Sequence, residues 1–379
     1  MTAAIPAAVA VAADQTTIGS GGKTGTGSGA GVKSRDHGLL LDHGLLVEHG
    51  LLLPLDPPLS SESGTDDPTA APQRVSIAAG PPSAGPQGLC GFLLLDKPAG
   101  LTSHACVARV RRRYGLRRVG HGGTLDPAVT GLLPIALGPA TRLLPYLDGG
   151  KSYRGVIRLG LTTSSDDLEG EILSQSPLPS LDRLAIEQAL AAFRGDILQR
   201  PPQISAVHVD GERAYVRARR GEAMELALRP VSIERLELLA WDRERGELEL
   251  AIDCSAGTYI RSLARDLGEQ LGCGGALAQL RRTAALGFDL KSAVPLEQLE
   301  LDPLPPLLDP LAALHHLGRH ALSEAELTAW RCGRALTDSA ARPAEAAVAV
   351  VAPDGSLAGI ARADGSGLLQ PKLVVAAAG

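Results

Sequence analysis

The composition of the chain changes at Leu89, and this change limits which residues can form a folded core. Residues 15–35 are rich in Gly, Ser and Thr, and three hexapeptide copies that each contain His-Gly-Leu-Leu follow over residues 36–53. A β-solenoid needs more than three such repeats to bury a core. We therefore interpret residues 1–88 as a disordered, low-complexity extension.

Charge and cysteine content suggest where the chain acts. Residues 1–88 hold four basic and eight acidic side chains, while the whole chain has a net charge of −5, so the remainder is nearly neutral. This balance argues against a protein that coats nucleic acid indiscriminately. The extension has only short apolar runs and no basic residue before Lys23, which argues against a membrane span or a secretory signal. Five scattered cysteines without a Cys-x-x-Cys pair indicate a cytoplasmic protein with no zinc site.

From Leu89 onward the sequence has the patterns of an α+β fold. Alternating apolar residues over 153–161 and 248–254 predict half-buried strands. Apolar spacing over 186–193 and 260–271 predicts amphipathic helices. Because strands and helices follow one another without a regular βαβ rhythm, we predict a mixed, largely antiparallel sheet.

Proline and turn residues divide this ordered region. We predict one domain over residues 89–301 and a proline-rich linker over 302–314. Ser323 and Glu326 have the spacing of a capping box, and short strands separated by Asp-Gly turns follow. Residues 315–379 therefore predict a small β-rich module.

Asp126 lies in a segment whose backbone is restrained on both sides. Gly122 and Gly123 give torsions that other residues avoid, and Pro127 keeps Asp126 out of helical geometry. We expect an outward carboxylate on a rigid turn. The alternative is an Asp-Pro turn that caps a helix.

A run of arginines precedes this turn. Ser103 predicts the N-cap and Gly115 the end of one short helix that carries most of them. A solvated helix face is one explanation, but uncompensated like charges also suit a phosphate partner. The arginines are Arg109, Arg111, Arg112, Arg113, Arg117 and Arg118.

Three more motifs combine polar side chains with glycine turns or strand starts. Tyr153 follows Lys151 at the start of a strand, Tyr259 and Arg261 lie where a strand meets a helix, and Leu280 precedes Arg281-Arg282-Thr283. We expect Arg261 opposite the apolar stripe of its helix, free to reach a carboxylate. Taken singly, the tyrosines could be packing residues and Arg281 and Arg282 solvated surface.

Together these motifs resemble the tRNA pseudouridine synthase B (TruB) family over residues 89–282, along essentially its whole catalytic domain. The matching pieces lie at Lys97–Ser103, Gly120–Gly131, Lys151–Tyr153, Pro201–Ala206 with Ala214-Tyr215 and Ala218-Arg219, Arg229–Val231, Gly257–Arg261 and Leu280–Thr283. The resemblance implies a pseudouridine-synthase catalytic domain followed by a small RNA-binding-like β module. It also implies isomerisation of uridine to pseudouridine at position 55, in the T arm of tRNA, without metal or cofactor. The sequence implies no protein partner, and nothing in it suggests more than a monomer.

The resemblance also implies roles for single residues. Asp126 matches the catalytic aspartate, Tyr153 the active-site tyrosine that stacks on uracil and can take the C5 proton, and Arg261 the partner that keeps the aspartate charged. His121 matches the residue that replaces or stacks on the displaced bases. The further substrate-binding candidates are Tyr259, Leu280, Arg282, Arg111, Arg112 and Arg113.

Other readings stay open from sequence. Ser164, Ser165 and Ala276 depart from the usual family pattern without touching the nucleophile. The same cleft could serve an RNA chaperone without chemistry, or a synthase acting on another RNA, including a guide-dependent one. A glycosidase would need a second acidic residue beside Asp126, and no motif supplies one.

Overall fold

The computed structural model of the chain describes residues 89–209 and 211–375. The interpretation of residues 1–88 as a disordered extension lies outside the described residues. The six helices of the described part are α1 (Ser103–Arg113), α2 (Arg183–Ala191), α3 (Ala214–Arg219), α4 (Ile260–Gln270), α5 (Pro310–Ala313) and α6 (Glu324–Arg331). Short 3₁₀ helices lie at Gly138–Arg142, Leu144–Tyr146, Leu290–Ser292 and Leu296–Glu300.

Strands make up most of the remaining regular structure. They are β1 (Gly91–Lys97), β2 (Val119–His121), β3 (Thr130–Leu137), β4 (Lys151–Leu159), β5 (Leu161–Thr163), β6 (Ile172–Gln175), β7 (Gly195–Gln199), β8 (His208–Val209), β9 (Glu212–Arg213), β10 (Arg229–Asp242), β11 (Glu247–Cys254), β12 (Gly275–Ala285), β13 (Phe288–Asp289), β14 (Val294–Pro295), β15 (Gly318–Ala321), β16 (Leu336–Thr337), β17 (Ala347–Val351), β18 (Leu357–Ala363) and β19 (Leu368–Val374).

A ten-stranded sheet forms the frame of the larger part of the molecule. Its order is β14-β1-β3-β12-β4-β11-β10-β7, with β2 also paired to β3 and β13 to β12. Only the β1–β14 and β3–β12 pairings are parallel. The prediction of an α+β fold with a mixed, largely antiparallel sheet is therefore confirmed for the described residues.

One face of this sheet packs against α2 and α4. The burial of β11 alternates strictly along the strand, as a half-buried strand requires. Its inward residues pack with Ile186 and Leu190 of α2 and with Leu263 and Leu267 of α4. Because Leu267 is fully buried, shortening it to alanine should cost about 2–5 kcal/mol.

Helix α1 packs on the neighbouring strands and touches the Asp126 turn. Its residues Cys106, Val107 and Val110 are buried against β1 and β3. The prediction that Ser103 is the N-cap is wrong by one residue: the Thr102 side chain accepts the capping bond from the amide of Ala105. Ser103 is buried instead, and its hydroxyl bonds to the backbone of the Asp126 turn.

The C-terminal residues form a separate five-stranded sheet in the order β15-β17-β18-β19-β16. The Ser323–Glu326 capping box opens α6, as predicted. The α6 side chain of Trp330 is fully buried, and its indole N–H donates to the Ala358 carbonyl oxygen at 2.9 Å. The expected β-rich character of this module is confirmed.

Residues 302–314, which the sequence predicts as a linker, are packed rather than extended. The amide of Leu308 donates to the Phe92 carbonyl at 2.7 Å, and the Phe92 amide donates back at 3.0 Å. Leu308 and Leu314 lie in a core cluster that contains Phe92 of β1 and Ile360 of β18. The segment therefore joins the two sheets through a shared apolar core.

Candidate active site

Asp126 lies on the turn between β2 and β3, and three neighbouring groups hold that turn. The Ser103 hydroxyl accepts a hydrogen bond from the Leu125 amide at 2.8 Å and donates one to the Leu125 carbonyl oxygen at 3.0 Å. The Pro127 carbonyl accepts from the Gly100 amide at 2.9 Å and from the Lys97 ammonium at 3.0 Å. The backbone on both sides of Asp126 is thus fixed, while 44% of its own side chain stays exposed.

The two glycines before Asp126 serve different purposes. Gly123 has a φ of +125°, which side chains disfavour, as predicted. Gly122 is not in such a conformation, so the prediction of special torsions there is wrong. A Cβ on Gly122 would lie 2.2 Å from the Leu286 side chain, so a larger residue would require that side chain to move.

Arg261, at the start of α4, binds the Asp126 carboxylate. Its Nη2 lies 2.9 Å from Asp126 Oδ2, and its side chain is only 8% exposed. Two carbonyl oxygens, of Ser165 at 3.0 Å and Ile204 at 2.9 Å, accept from the same guanidinium. Arg261 reaches a carboxylate as predicted, but from a buried position, because the first turn of α4 is buried all round. Its position is therefore rigid.

Asp167 is a second acidic partner of Arg261 that the sequence motifs did not single out. Asp167 Oδ2 lies 3.6 Å from Arg261 Nε. Its other oxygen accepts from the Ser165 hydroxyl at 2.6 Å and from the Glu169 amide at 3.1 Å. The Asp166-Asp167 pair is visible in the sequence, but its local pattern does not say which carboxylate faces the arginine.

Tyr153 and Leu280 place apolar surface beside this ion pair. Tyr153 of β4 is 7% exposed. Leu280 of β12 packs against the core that contains α2 and α4 and against the core that contains α1. Burial raises the pKa of the Tyr153 hydroxyl, and the nearby Arg282 guanidinium opposes that shift. Tyr259 is half-buried, with its backbone amide bound to the Gln199 side chain at 2.8 Å.

The structure changes the roles expected of Arg281 and Arg282. Arg282 is fully buried, so it does not reach solvent as a substrate-binding residue would. Its guanidinium donates to the Leu132 carbonyl at 2.8 Å and the Gly123 carbonyl at 3.1 Å, and it faces the Tyr153 hydroxyl. Arg281 is not free surface either, since Asp96 binds it at 2.7 Å.

His121 ends β2 at the edge of the turn and is half-buried. Its Nδ1 lies 3.3 Å from the Gly123 amide, so it accepts that N–H and the neutral ring carries its proton on Nε2. The ring packs edge-on against His104, with centroids 5.4 Å apart. Burial, followed by the charges of His104 and Arg282, lowers the pKa of His121.

The predicted arginine surface is divided by the structure. Arg111 and Arg112 are exposed on the last turn of α1, whereas Arg113 is partly buried. Arg113 binds the Asp302 carboxylate and donates to the Leu299 carbonyl at 2.6 Å. The expectation that Arg113 is free to bind phosphate is thus wrong, because it secures the segment before α5. The other exposed arginines of the run are Arg109, Arg117 and Arg118.

The site contains the groups that a nucleophilic reaction on a base or sugar needs. An anionic carboxylate is held by one buried arginine next to an apolar wall and a tyrosine hydroxyl. Among the residues that the structure describes, no cluster of three His, Cys, Asp or Glu side chains could hold a metal ion. No described helix is both long and apolar enough to cross a membrane.

Family models match the chain in three consecutive parts. Residues 111–260 match the TruB family pseudouridylate synthase N-terminal domain, and 261–304 match the tRNA pseudouridylate synthase B C-terminal domain. Residues 318–375 match a further C-terminal model, described as pseudouridine synthase II TruB. The Asp126 turn, Tyr153 and Tyr259 fall in the first part, and Arg261 begins the second.

Whole relatives match over nearly their full length. The tRNA pseudouridine synthase B of Parasynechococcus marenigrum is 64% identical over 77% of this chain and 99% of its own. That of Synechococcus elongatus is 53% identical over 76% of this chain and 98% of its own. A Cbf5-Nop10-Gar1 complex contains a chain of similar fold, with a TM-score of 0.57 at 24% identity, over 80% of this chain and 92% of that one. By these matches the chain belongs to the TruB family of pseudouridine synthases.

Proposed function

We propose that this protein converts the uridine at position 55, in the T arm of tRNA, to pseudouridine, with Asp126 as the nucleophile. The contact of Asp126 with the buried Arg261 is the observation that carries the proposal. The family supports isomerisation of uridine in tRNA, and its members are named for that activity. The position in the T arm rests on the motif resemblance.

The reaction exchanges one bond for another within the same nucleotide. The bond between N1 of uracil and C1′ of ribose breaks, the uracil turns, and C5 bonds to C1′. The C5 proton leaves and N1 takes up a proton, so the product is an isomer of the substrate. Asp126 supplies the electron pair, at either C1′ or C6, and is released at the end. Electrons are conserved, so the step needs no oxidant or reductant.

Arg261 and Tyr153 support that chemistry in different ways. Arg261 fixes the carboxylate with one nitrogen while two carbonyls and Asp167 hold the rest of its guanidinium. Tyr153, in the apolar wall, stacks on the uracil, and its oxygen takes the C5 proton once the hydroxyl has been deprotonated. The Arg282 charge favours the deprotonated oxygen and offsets part of the cost of burial.

Binding of the RNA calls for base extrusion and phosphate contacts. His121 stands at the edge of the turn, where it fills the space of the extruded base, and Tyr259 with Leu280 lines the pocket. Arg111 and Arg112 are exposed and hold phosphates, whereas Arg113 and Arg282 support the protein framework. Five free thiols support a cytoplasmic setting.

The decisive test replaces the Asp126 carboxylate alone. Asp126→Asn keeps the shape of the side chain but removes the anion, so the rate should fall by roughly 10⁴-fold or more. Unmodified tRNA transcript is incubated with the protein alone, and pseudouridine is mapped by position. Asp148→Asn, at an exposed site, is the matched control and should keep normal turnover.

The same assay separates the alternatives. Near-normal turnover in Asp126→Asn would exclude this nucleophile. Tight tRNA binding with no pseudouridine from the wild type would favour an RNA chaperone. Modification of a ribosomal RNA transcript in place of tRNA would favour a synthase with another substrate.

A further inference from the structure

Lys151 is a cation beside the Asp126 turn to which neither the family models nor the reaction outlined above gives a role. It opens β4 two residues before Tyr153, so both side chains lie on the same face of the strand. Tyr153 pairs in register with Arg282 of β12, and Lys151 pairs two steps further along with Ala285. The lysine therefore extends the row of groups that forms the wall of the site.

The side chain of Lys151 reaches the glycine turn. A Cβ placed on Gly123 would lie 3.8 Å from Lys151 Cε, 4.0 Å from its Nζ and 3.4 Å from Arg282 Nη1. Two cationic side chains thus converge on the backbone three residues before Asp126. Glycine at this position leaves room for both of them.

Neither of these two cations has a carboxylate of its own within the described part of the chain. Among the described residues no carboxylate or carbonyl accepts a hydrogen bond from the Lys151 ammonium, and Arg282 Nη1 is buried without an acceptor. Asp126 is already bound to Arg261 at 2.9 Å. Burial, followed by the Arg282 charge, lowers the pKa of Lys151, which is what an uncompensated cation shows. This corner of the site therefore lacks an anion.

We propose that the Lys151 ammonium binds a phosphate flanking the target uridine and so holds the extruded nucleotide against Asp126. This inference rests on the proposed function, since a nucleotide enters the site with its phosphates attached. A phosphate oxygen would accept the free N–H donors of Lys151 and neutralise the surplus charge. Arg282 stays buried behind it and adds to the positive potential.

The test is a double-mutant cycle between the protein and the RNA. T-arm hairpin RNAs carry a neutral methylphosphonate on the 5′ or the 3′ side of the target uridine, and each is compared with the natural phosphodiester. Binding is measured in the Asp126→Asn background, with and without Lys151→Met, and single-turnover rates are measured with Asp126 present. Lys291→Met, at an exposed lysine, is the control for loss of a positive charge.

Lys151→Met should weaken binding of the natural RNA by roughly 10- to 100-fold, the range for one charged hydrogen bond. On the hairpin in which the phosphate bound by Lys151 is replaced by a methylphosphonate, Lys151→Met should cause almost no further loss of affinity. Lys151→Arg, which keeps the charge, should restore most of the binding, and the thermal midpoints should match the wild type.

The Lys151 assignment would be overturned if Lys151→Met lowered the affinity by the same factor for the natural hairpin and for both methylphosphonate hairpins. The proposed function would stay intact. Failure of the wild type to form pseudouridine in the unsubstituted hairpin would instead contradict the T-arm substrate itself. The two failures are therefore distinguishable in one experiment.

Discussion

Arg112 and Arg113 are sequence neighbours, and their structural settings predict opposite defects. Arg111→Gln with Arg112→Gln removes two exposed charges, each of which contacts about one phosphate in the proposed complex. The slope of log binding constant against log salt should flatten by roughly one unit per lost contact, or about two in all. Folding stability should stay within about 0.5 kcal/mol, because neither side chain is buried.

Arg113→Gln should change stability instead of binding. It removes bonds to the carbonyls of Leu299, at 2.6 Å, and Leu301, at 3.1 Å. The ion pair itself adds little, since the Asp302 side chain is 82% exposed. Loss of the two charged hydrogen bonds costs about 2 kcal/mol, which lowers the thermal midpoint by roughly 3 °C.

Filter binding at several salt concentrations and scanning calorimetry measure the two effects on the same preparations. An Arg113 variant with a flattened salt slope and an unchanged midpoint would refute this reasoning. The same would hold if the Arg111 and Arg112 double variant lost stability and kept its slope.

Three other outcomes are expected. Arg261→Met removes the cation that contacts both Asp126 and Asp167 and should abolish detectable turnover. Asp167→Asn should slow turnover by roughly 10-fold, and equal losses of turnover in the two variants would contradict the hierarchy of the two contacts. Folding lowers the pKa of His121, so below about pH 6.5 the unfolded chain binds more protons than the folded one and folding stability falls. The thermal midpoints at pH 7.5 and 5.5 should therefore differ more for the wild type than for His121→Gln. Equal differences in the two proteins would contradict the lowered pKa of His121. A chain that starts at Gly88 should keep the turnover and thermal midpoint of the full chain. A relative that matches over 99% of its own length covers only 77% of this chain, so that relative lacks an extension of this size. A midpoint lower by several degrees would show that residues 1–87 contribute to stability.

The fold class could be read from sequence because its signals are local. Alternation over 248–254 and the spacing of Ser323 and Glu326 depend on neighbours within a few residues, and both elements formed as predicted. The long strands β10 and β12 were not predicted, because their burial patterns are interrupted where the register of pairing shifts. Such irregularities depend on the partner strand and have no local signal.

The candidate site likewise contains residues that the sequence indicated and residues whose roles depend on distant contacts. The Asp126 turn was marked by its own glycines and proline, and the motif resemblance named Tyr153 and Arg261. Asp167 was missed because its contact with Arg261 joins residues 94 positions apart. The burial of Arg282 was also missed, because a charged residue is ordinarily exposed and only the pairing of β12 with β3 and β4 encloses it.

The packing of Leu308 and Leu314 between the two sheets has a thermodynamic consequence. A cluster that contains Phe92, Leu314 and Ile360 cannot lose its C-terminal strands without exposing apolar surface of β1 to water. Neither part then has a free energy of unfolding of its own, and residues 89–375 should melt in a single calorimetric transition. A substitution in β18 would consequently reduce the population of the intact Asp126 turn, although no atom of that strand belongs to the site.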